Sequence, residues 1–257
     1  MRELLVIGIG AGHPDQLTIQ AVQAMNRVDV FFLIDKGNSK SGLNAVRDEM
    51  LRRHVTNTGY RVVEITEPAR DRSPDLTGAG YQTAVQNWHE ARAERIAQAL
   101  TTELGEDGVG AFLVWGDPSV YDSTLRVIDR IKGRIAFDYK VIPGVTSVQA
   151  LAAAHRIPLN RIGEPIHLTP ARRIVDGIPE GLDSAVVMLD VGFTAAQLDE
   201  SNLEVFWGAY LSTDDEVIIA GRLGDVAGQI VETRARLRAE HGWIMDSYLL
   251  RRPQNDK

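Results

Sequence analysis

The chain contains no cysteine. That excludes disulfides, thiolate metal sites, iron–sulfur clusters and a cysteine nucleophile, and it fits a reducing compartment. Lysine is nearly absent: it stands only at positions 36, 40, 132, 140 and 257, so arginine makes up the rest of the 28 basic residues. A bias of genome composition accounts for this. Arginine also grips carboxylates bidentately, which would suit an acidic ligand. No apolar run approaches the ~20 residues a membrane helix needs. Met1–Gly12 is apolar but short, and it lacks the charged lead and cleavage pattern of a signal peptide. The expectation is a cytoplasmic protein with no membrane partner. The formal charge of −7 and pI near 5.4 argue against broad nucleic-acid binding, which usually shows a basic domain.

What is present is an ordinary globular composition: 257 residues, 44% hydrophobic and 25% charged. At roughly 100–200 residues per domain this makes one large domain or two small ones. Short apolar runs read as buried strands at Leu4–Ile7, Val28–Ile34, Arg61–Ile65, Ala111–Trp115 and Tyr139–Ile142. Between them, helical spacing covers Thr18–Arg27, Ser41–His54, Tyr81–Leu104, Leu125–Ile131 and Thr146–His155, with Pro68–Gly80 as a loop. Such alternation predicts an α/β fold with a mainly parallel five-stranded sheet.

The pattern changes near Ile157-Pro158-Leu159. The expected domains are therefore 1–158 and 159–257. The second has strand candidates at Ala185–Leu189, Leu203–Trp207, Glu216–Ala220 and Trp243–Leu249, a helix over Asp225–Glu240, and a polar, frayed tail from Arg251. Its close strand spacing predicts a smaller, mixed sheet.

Three segments combine a strand end, a turn and a helix start. Gly8-Ile-Gly10-Ala-Gly12-His13-Pro14-Asp15 follows the first strand, but its glycines are not spaced GxGxxG and no GK[ST] follows. Trp115-Gly116-Asp117-Pro118-Ser119-Val120-Tyr121-Asp122-Ser123-Thr124 follows the fourth. In a parallel sheet such loops form the ligand crevice; alternatively Asp117 and Ser119 only cap the next helix. Pro143-Gly144-Val145-Thr146-Ser147 follows the fifth and opens a helix whose N-terminal hydroxyls and amides are a polar docking point or a plain cap.

Taken in this order, the three segments resemble the tetrapyrrole methylase family, the class III S-adenosylmethionine-dependent methyltransferases. The resemblance implies two αβα domains with the cofactor, S-adenosylmethionine, in the crevice between them. Trp115, Gly116, Asp117, Val120, Tyr121, Thr146, Ser147, Leu189, Ala209, Tyr210 and Leu211 would bind it. Gly10, Gly12, His13 and Pro14 would face the substrate, and Arg172 and Arg173 could grip its carboxylates or simply open a solvated helix. The family usually carries an acidic residue where His13 stands.

Segments 114–118, 121–124 and 187–190 and the pair Trp88-His89 are similar to members that methylate carbon 1 of precorrin-5 and release acetate on the way to cobalamin. A tetrapyrrole substrate and a homodimer follow as expectations. Alternatives are another acceptor (a different precorrin carbon, or diphthine-type methylation) and a non-catalytic relic that binds cofactor or tetrapyrrole. Methyl transfer needs positioning more than a base, but deacetylation would be helped by one. His13, Asp15, Asp35 and Asp190 are weak candidates. No paired-histidine spacing exists, so no metal is expected.

Overall fold

A computed structural model describes residues 1–35, 41–69 and 78–253. The chain divides into two compact units, residues 1–10 with 14–145 and residues 11–13 with 146–257.

The first unit holds β1 (Glu3–Gly8), α1 (Ile19–Met25), β2 (Val30–Asp35), α2 (Ser41–His54), β3 (Arg61–Thr66), α3 (Gly78–Leu104), β4 (Val109–Val114), α4 (Thr124–Ile131) and β5 (Asp138–Ile142). Its five strands are ordered β3-β2-β4-β1-β5 and are all parallel. Successive strand residues point to opposite faces. Leu4, Val6, Phe32 and Phe112 pack against α3 and α4, whereas Leu5, Ile7 and Phe31 pack against α1 and α2. Burial on both faces is why the central strands read as unbroken apolar runs rather than alternating ones. The chain leaves β1 toward one edge of the sheet and leaves β4 toward the other, so their neighbouring carboxyl ends form a topological switch point, where ligands bind in open α/β sheets.

The second unit holds α5 (Ser147–His155), β6 (Ile166–Pro170), β7 (Ser184–Met188), β8 (Glu204–Ala209), β9 (Val217–Arg222), α6 (Leu223–His241) and β10 (Asp246–Arg251). Its sheet is ordered β6-β7-β10-β8-β9. Only β6 and β7 are parallel, and the remaining pairs are antiparallel. Trp207, Tyr248, Ala185 and Val205 face α6, while Val186, Leu249 and Phe206 face α5.

Three features differ from the sequence expectations. The helix at 147–155 packs with Val186 and Leu249 of the second sheet and with Leu211 just beyond β8, so the compact units divide after residue 145 rather than after 158. Its apolar side is complementary to a sheet that comes later in the chain, which periodicity cannot reveal. The second sheet has five strands, as many as the first. β6 was missed because it is a short edge strand ending in Pro170, with Ile166 and Leu168 exposed. Arg251 is not frayed: it is buried in β10 and donates from Nη2 to the carbonyls of Pro158 (2.5 Å) and Leu159 (3.2 Å). Arg252 similarly ties Ile178 (3.0 Å) and Glu200 (2.8 Å). Most of the expected loop at 68–80, at residues 70–77, and the tail beyond 253 lie outside the described residues.

Candidate functional site

The site is built where β1, β4 and β5 of the first unit end. Gly10 and Gly116 form an antiparallel bridge, with Gly116 N donating to Gly10 O at 2.8 Å and Gly10 N to Gly116 O at 3.3 Å. Gly116 has φ +64°, a left-handed conformation that disfavours a side chain. Beneath the bridge the three strand ends touch backbone to backbone. A Cβ on Gly8 would lie 2.6 Å from Gly144 N and 2.8 Å from Gly116 O. The close approach that demands glycine at position 8 is therefore between loops of the protein itself.

Asp117 fastens these loops. Its Oδ2 accepts from Gly144 N at 2.9 Å, and its Oδ1 accepts from Ser119 N at 2.8 Å and Ser119 Oγ at 2.5 Å. It does not cap the following helix, which starts at Thr124 and takes its cap from Asp122 Oδ1, 2.6 Å from Thr124 N. Burial raises the Asp117 carboxyl, but these hydrogen bonds outweigh it and hold the group below its ordinary value. The result is a fixed anion at the switch point. Beyond it, Val120 closes a turn onto Asp117 O (3.2 Å), and Tyr121 stands 41% exposed with φ +50°. Half-buried Trp115 lies under the Arg47 guanidinium, whose carbon is 5.8 Å from the ring centroid.

The other expected cofactor residues lie in the second unit. Thr146 caps α5: Oγ1 accepts from Val148 N at 3.1 Å, and Gln149 Oε1 accepts from Thr146 N at 3.1 Å. Ser147 follows in the first turn. Leu189 ends β7 with φ +57° and is 58% exposed. Ala209, Tyr210 and Leu211 are buried. The Tyr210 side chain is part of the core, donating to Trp243 O at 2.5 Å, and burial pushes its phenol up to about 12. At neutral pH it is an uncharged donor already in use.

The expected bases and substrate contacts belong to both units. Asp190 is a structural hub: it accepts from Tyr248 Oη (2.7 Å), Gly192 N (3.0 Å), Thr194 N (2.6 Å) and Thr194 Oγ1 (3.0 Å). Burial raises its carboxyl, yet these bonds hold it below its ordinary value, which suits an anchor better than a base. Asp15 is an exposed residue 3.8 Å from Arg53, a weak surface pair. His13 is exposed, Pro14 opens a short 3-10 turn, and Gly12 lies against Thr213. Asp35 ends β2, and its side chain lies outside the described positions. Arg172 and Arg173 are exposed on a 3-10 turn. Among the described residues, no group of three or more His, Asp or Glu is placed to hold a metal, and no helix is long and apolar enough to cross a membrane.

Sequence reasoning passed over Arg92. It is 5% exposed, donates from Nη1 to Ser123 Oγ at 2.6 Å, lies 3.6 Å from Glu67, and covers the Trp88 ring at 5.2 Å. Burial lowers its pKa while Glu67 and Asp122 oppose that shift. The signal was present in the spacing: Trp88, Arg92 and Ile96 recur every four residues along the inner side of α3, so an arginine occupies a core position.

An all-parallel sheet with a topological switch point, followed by a mixed α/β unit, defines a two-unit α/β scaffold. The family of tetrapyrrole (corrin/porphyrin) methylases matches residues 3–227. The chain is 47% identical over 254 residues to a precorrin-6A synthase (deacetylating) of Sinorhizobium sp, covering 98% of this chain and 96% of that protein. It superposes with a TM-score of 0.85 and 37% identity on a cobalamin-synthesis-related protein (CobF) of Corynebacterium diphtheriae, covering 99% of this chain and all of the other. A uroporphyrin-III C-methyltransferase of Thermus thermophilus complexed with S-adenosylhomocysteine shares the fold, with a TM-score of 0.57 and 19% identity. The chain belongs to the tetrapyrrole methylase family.

Proposed function

We propose that the chain is an S-adenosylmethionine-dependent C-methyltransferase of cobalamin biosynthesis that methylates carbon 1 of precorrin-5 and releases the extruded acetyl group as acetate, giving precorrin-6A. The observation that carries this reading is 47% identity, running through both units, to a relative of that name. The substrate is inferred from it, and the cofactor from the family match and from a neighbour of the same fold complexed with S-adenosylhomocysteine; a homodimer and a cytoplasmic location are part of the proposal and rest on the sequence reading alone. The acidic charge of −7 fits a protein with no nucleic-acid partner.

The residues at the switch point fit this cofactor by their chemistry. Asp117 is held ionised, and about one of the four acceptor sites of its carboxylate remains after the three bonds it makes. It can attract a cationic ligand without rearranging. Val120 and Tyr121 offer an apolar and an aromatic surface beside it. The cofactor supplies an electrophilic methyl group when bound. The protein's part is to hold donor and acceptor carbons in line, and such positioning can remove about 7–11 kcal/mol of barrier. Rigid loops serve this: the Gly10–Gly116 bridge and the Asp117–Gly144 bond fix the crevice floor before any ligand arrives. Deacetylation needs water at the acetyl carbonyl. Asp190 is committed to four hydrogen bonds, and His13, exposed in the first loop, is the candidate we favour over Asp15 and Asp35.

Calorimetric titration with S-adenosylmethionine and S-adenosylhomocysteine, with NAD as control, tests the cofactor. Micromolar binding, about −8 kcal/mol, to the first two alone supports the reading. Turnover of precorrin-5 with release of one acetate per methyl transferred then tests the substrate. No binding of either sulfur nucleotide removes the reading at its base.

A further inference from the structure

Ser123 stands at the N-cap of α4, where a serine hydroxyl ordinarily accepts from an amide of the first turn. It makes no such bond. The neighbouring Asp122 caps Thr124 N instead, and the Ser123 hydroxyl accepts from Arg92 Nη1 at 2.6 Å. The local capping rule is set aside for a link between α3 and the end of the loop that follows β4.

That link is costly to keep. Arg92 is 5% exposed, and its closest carboxylate, Glu67, lies at 3.6 Å, outside hydrogen-bond distance. Both Glu67 carboxylate oxygens are buried with no hydrogen-bond partner among the described residues. A buried ion pair so loosely matched contributes little to net stability: replacing both partners by apolar groups is often neutral or favourable, whereas removing one leaves the other an uncompensated buried charge. Two residues before Ser123 stands Tyr121, in the left-handed region at φ +50°. A side chain held there persists where its surroundings over-determine the backbone.

We infer that Arg92 is a positioning residue for the cofactor loop: through Ser123 it pins the loop's far end, as Asp117 and Gly144 pin its near end, and so fixes Tyr121 in its ligand-facing conformation. The inference rests on the proposal that this loop binds S-adenosylmethionine. Trp88, over which the Arg92 guanidinium lies, itself donates from Nε1 to Pro68 O at 3.2 Å, so the arginine rests on an anchored surface. The orientation of Arg92 is thereby fixed from α3, independently of the loop it holds.

The test is S-adenosylhomocysteine affinity by calorimetry, with the melting temperature of each variant alongside. Ser123→Ala, and Arg92→Met made together with Glu67→Leu so that no buried carboxylate is stranded, should each lower affinity about tenfold while the melting temperature stays near that of the parent protein. Ser123→Thr, which keeps the hydroxyl, should restore affinity, and Arg92→Lys should restore part of it. Combining Arg92→Met/Glu67→Leu with Ser123→Ala should lose no more affinity than either alone, because both sever one link. Wild-type affinity in both would overturn the inference, as would affinity that falls only in step with the melting temperature. Absence of binding by the wild-type chain would instead remove the cofactor reading, and this role for Arg92 with it.

Discussion

Asp117 Oδ2 accepts the amide of Gly144 at 2.9 Å, joining the loop after β4 to the loop after β5 across 27 positions of sequence. One carboxylate thus sets the spacing of two loops at the switch point while keeping its charge. Under the proposed function, structural and ligand-binding roles fall on the same side chain.

Asp117→Ala removes three acceptor contacts at once. Hydrogen bonds to a charged group are worth ~1.5–3 kcal/mol each, before the relaxation and hydration that a partly exposed loop allows. The variant should fold, melt several degrees lower, and bind S-adenosylhomocysteine at least tenfold more weakly, whereas Asp117→Asn, which keeps one acceptor oxygen, should be milder in both respects. Calorimetry and thermal melts check this; unchanged affinity in the alanine variant would mean that the cofactor does not depend on this loop.

Gly8→Ala should be more damaging than its size suggests. The added carbon would meet Gly144 N at 2.6 Å and Gly116 O at 2.8 Å, both backbone atoms that cannot rotate away. Overpacking of this kind costs ~1–3 kcal/mol or more. Urea unfolding should show the loss, and cofactor affinity should fall with it because all three loops share this contact.

Acid should act on the second unit through Asp190. Burial raises its carboxyl, but hydrogen bonds from Tyr248, Gly192 and Thr194 bring it below the ordinary value. A folded-state value below the unfolded one contributes stability that is complete above the unfolded value, about pH 3.9, and is lost as pH falls through the lower folded value. Asp190→Asn should therefore be less stable than the wild type at neutral pH, and the gap should narrow as pH drops below about 4. Urea midpoints across that range measure it; a gap independent of pH would remove ionised Asp190 as the source.

His13→Asp places at position 13 the acidic residue that the family resemblance leads one to expect there. His13 is exposed, so melting temperature and S-adenosylhomocysteine affinity should not change. Precorrin-5 turnover is the informative readout. Retained turnover is expected of a tolerant loop position, and lost turnover at normal cofactor affinity would make His13 a substrate-facing group.

Much of the first unit was legible in one dimension. Leu4–Ile7 and Ala111–Trp115 are apolar on both faces, as parallel strands covered by helices must be, and glycine-rich turns mark where they stop. The second unit was less so. β6 carries exposed Ile166 and Leu168 on an edge, and its pairing with β7 is invisible without the partner strand. Among the residues that the resemblance leads one to expect at the site, Tyr121, Leu189 and Tyr210 all have positive φ, a strain that no residue type announced.

The sequence by itself determined the alternation of strands and helices, the three loops at the strand ends and the family to which they belong, because periodicity and turn chemistry are local properties. Only the tertiary structure decided that α5 packs with the second sheet, that Asp117 serves Gly144 rather than the next helix, that Asp190 is a hydrogen-bond hub, and that Ser123 answers to Arg92. Each of these depends on a partner tens of residues away or on competition between neighbouring side chains for one donor, and such partners are chosen by the packing of the whole chain.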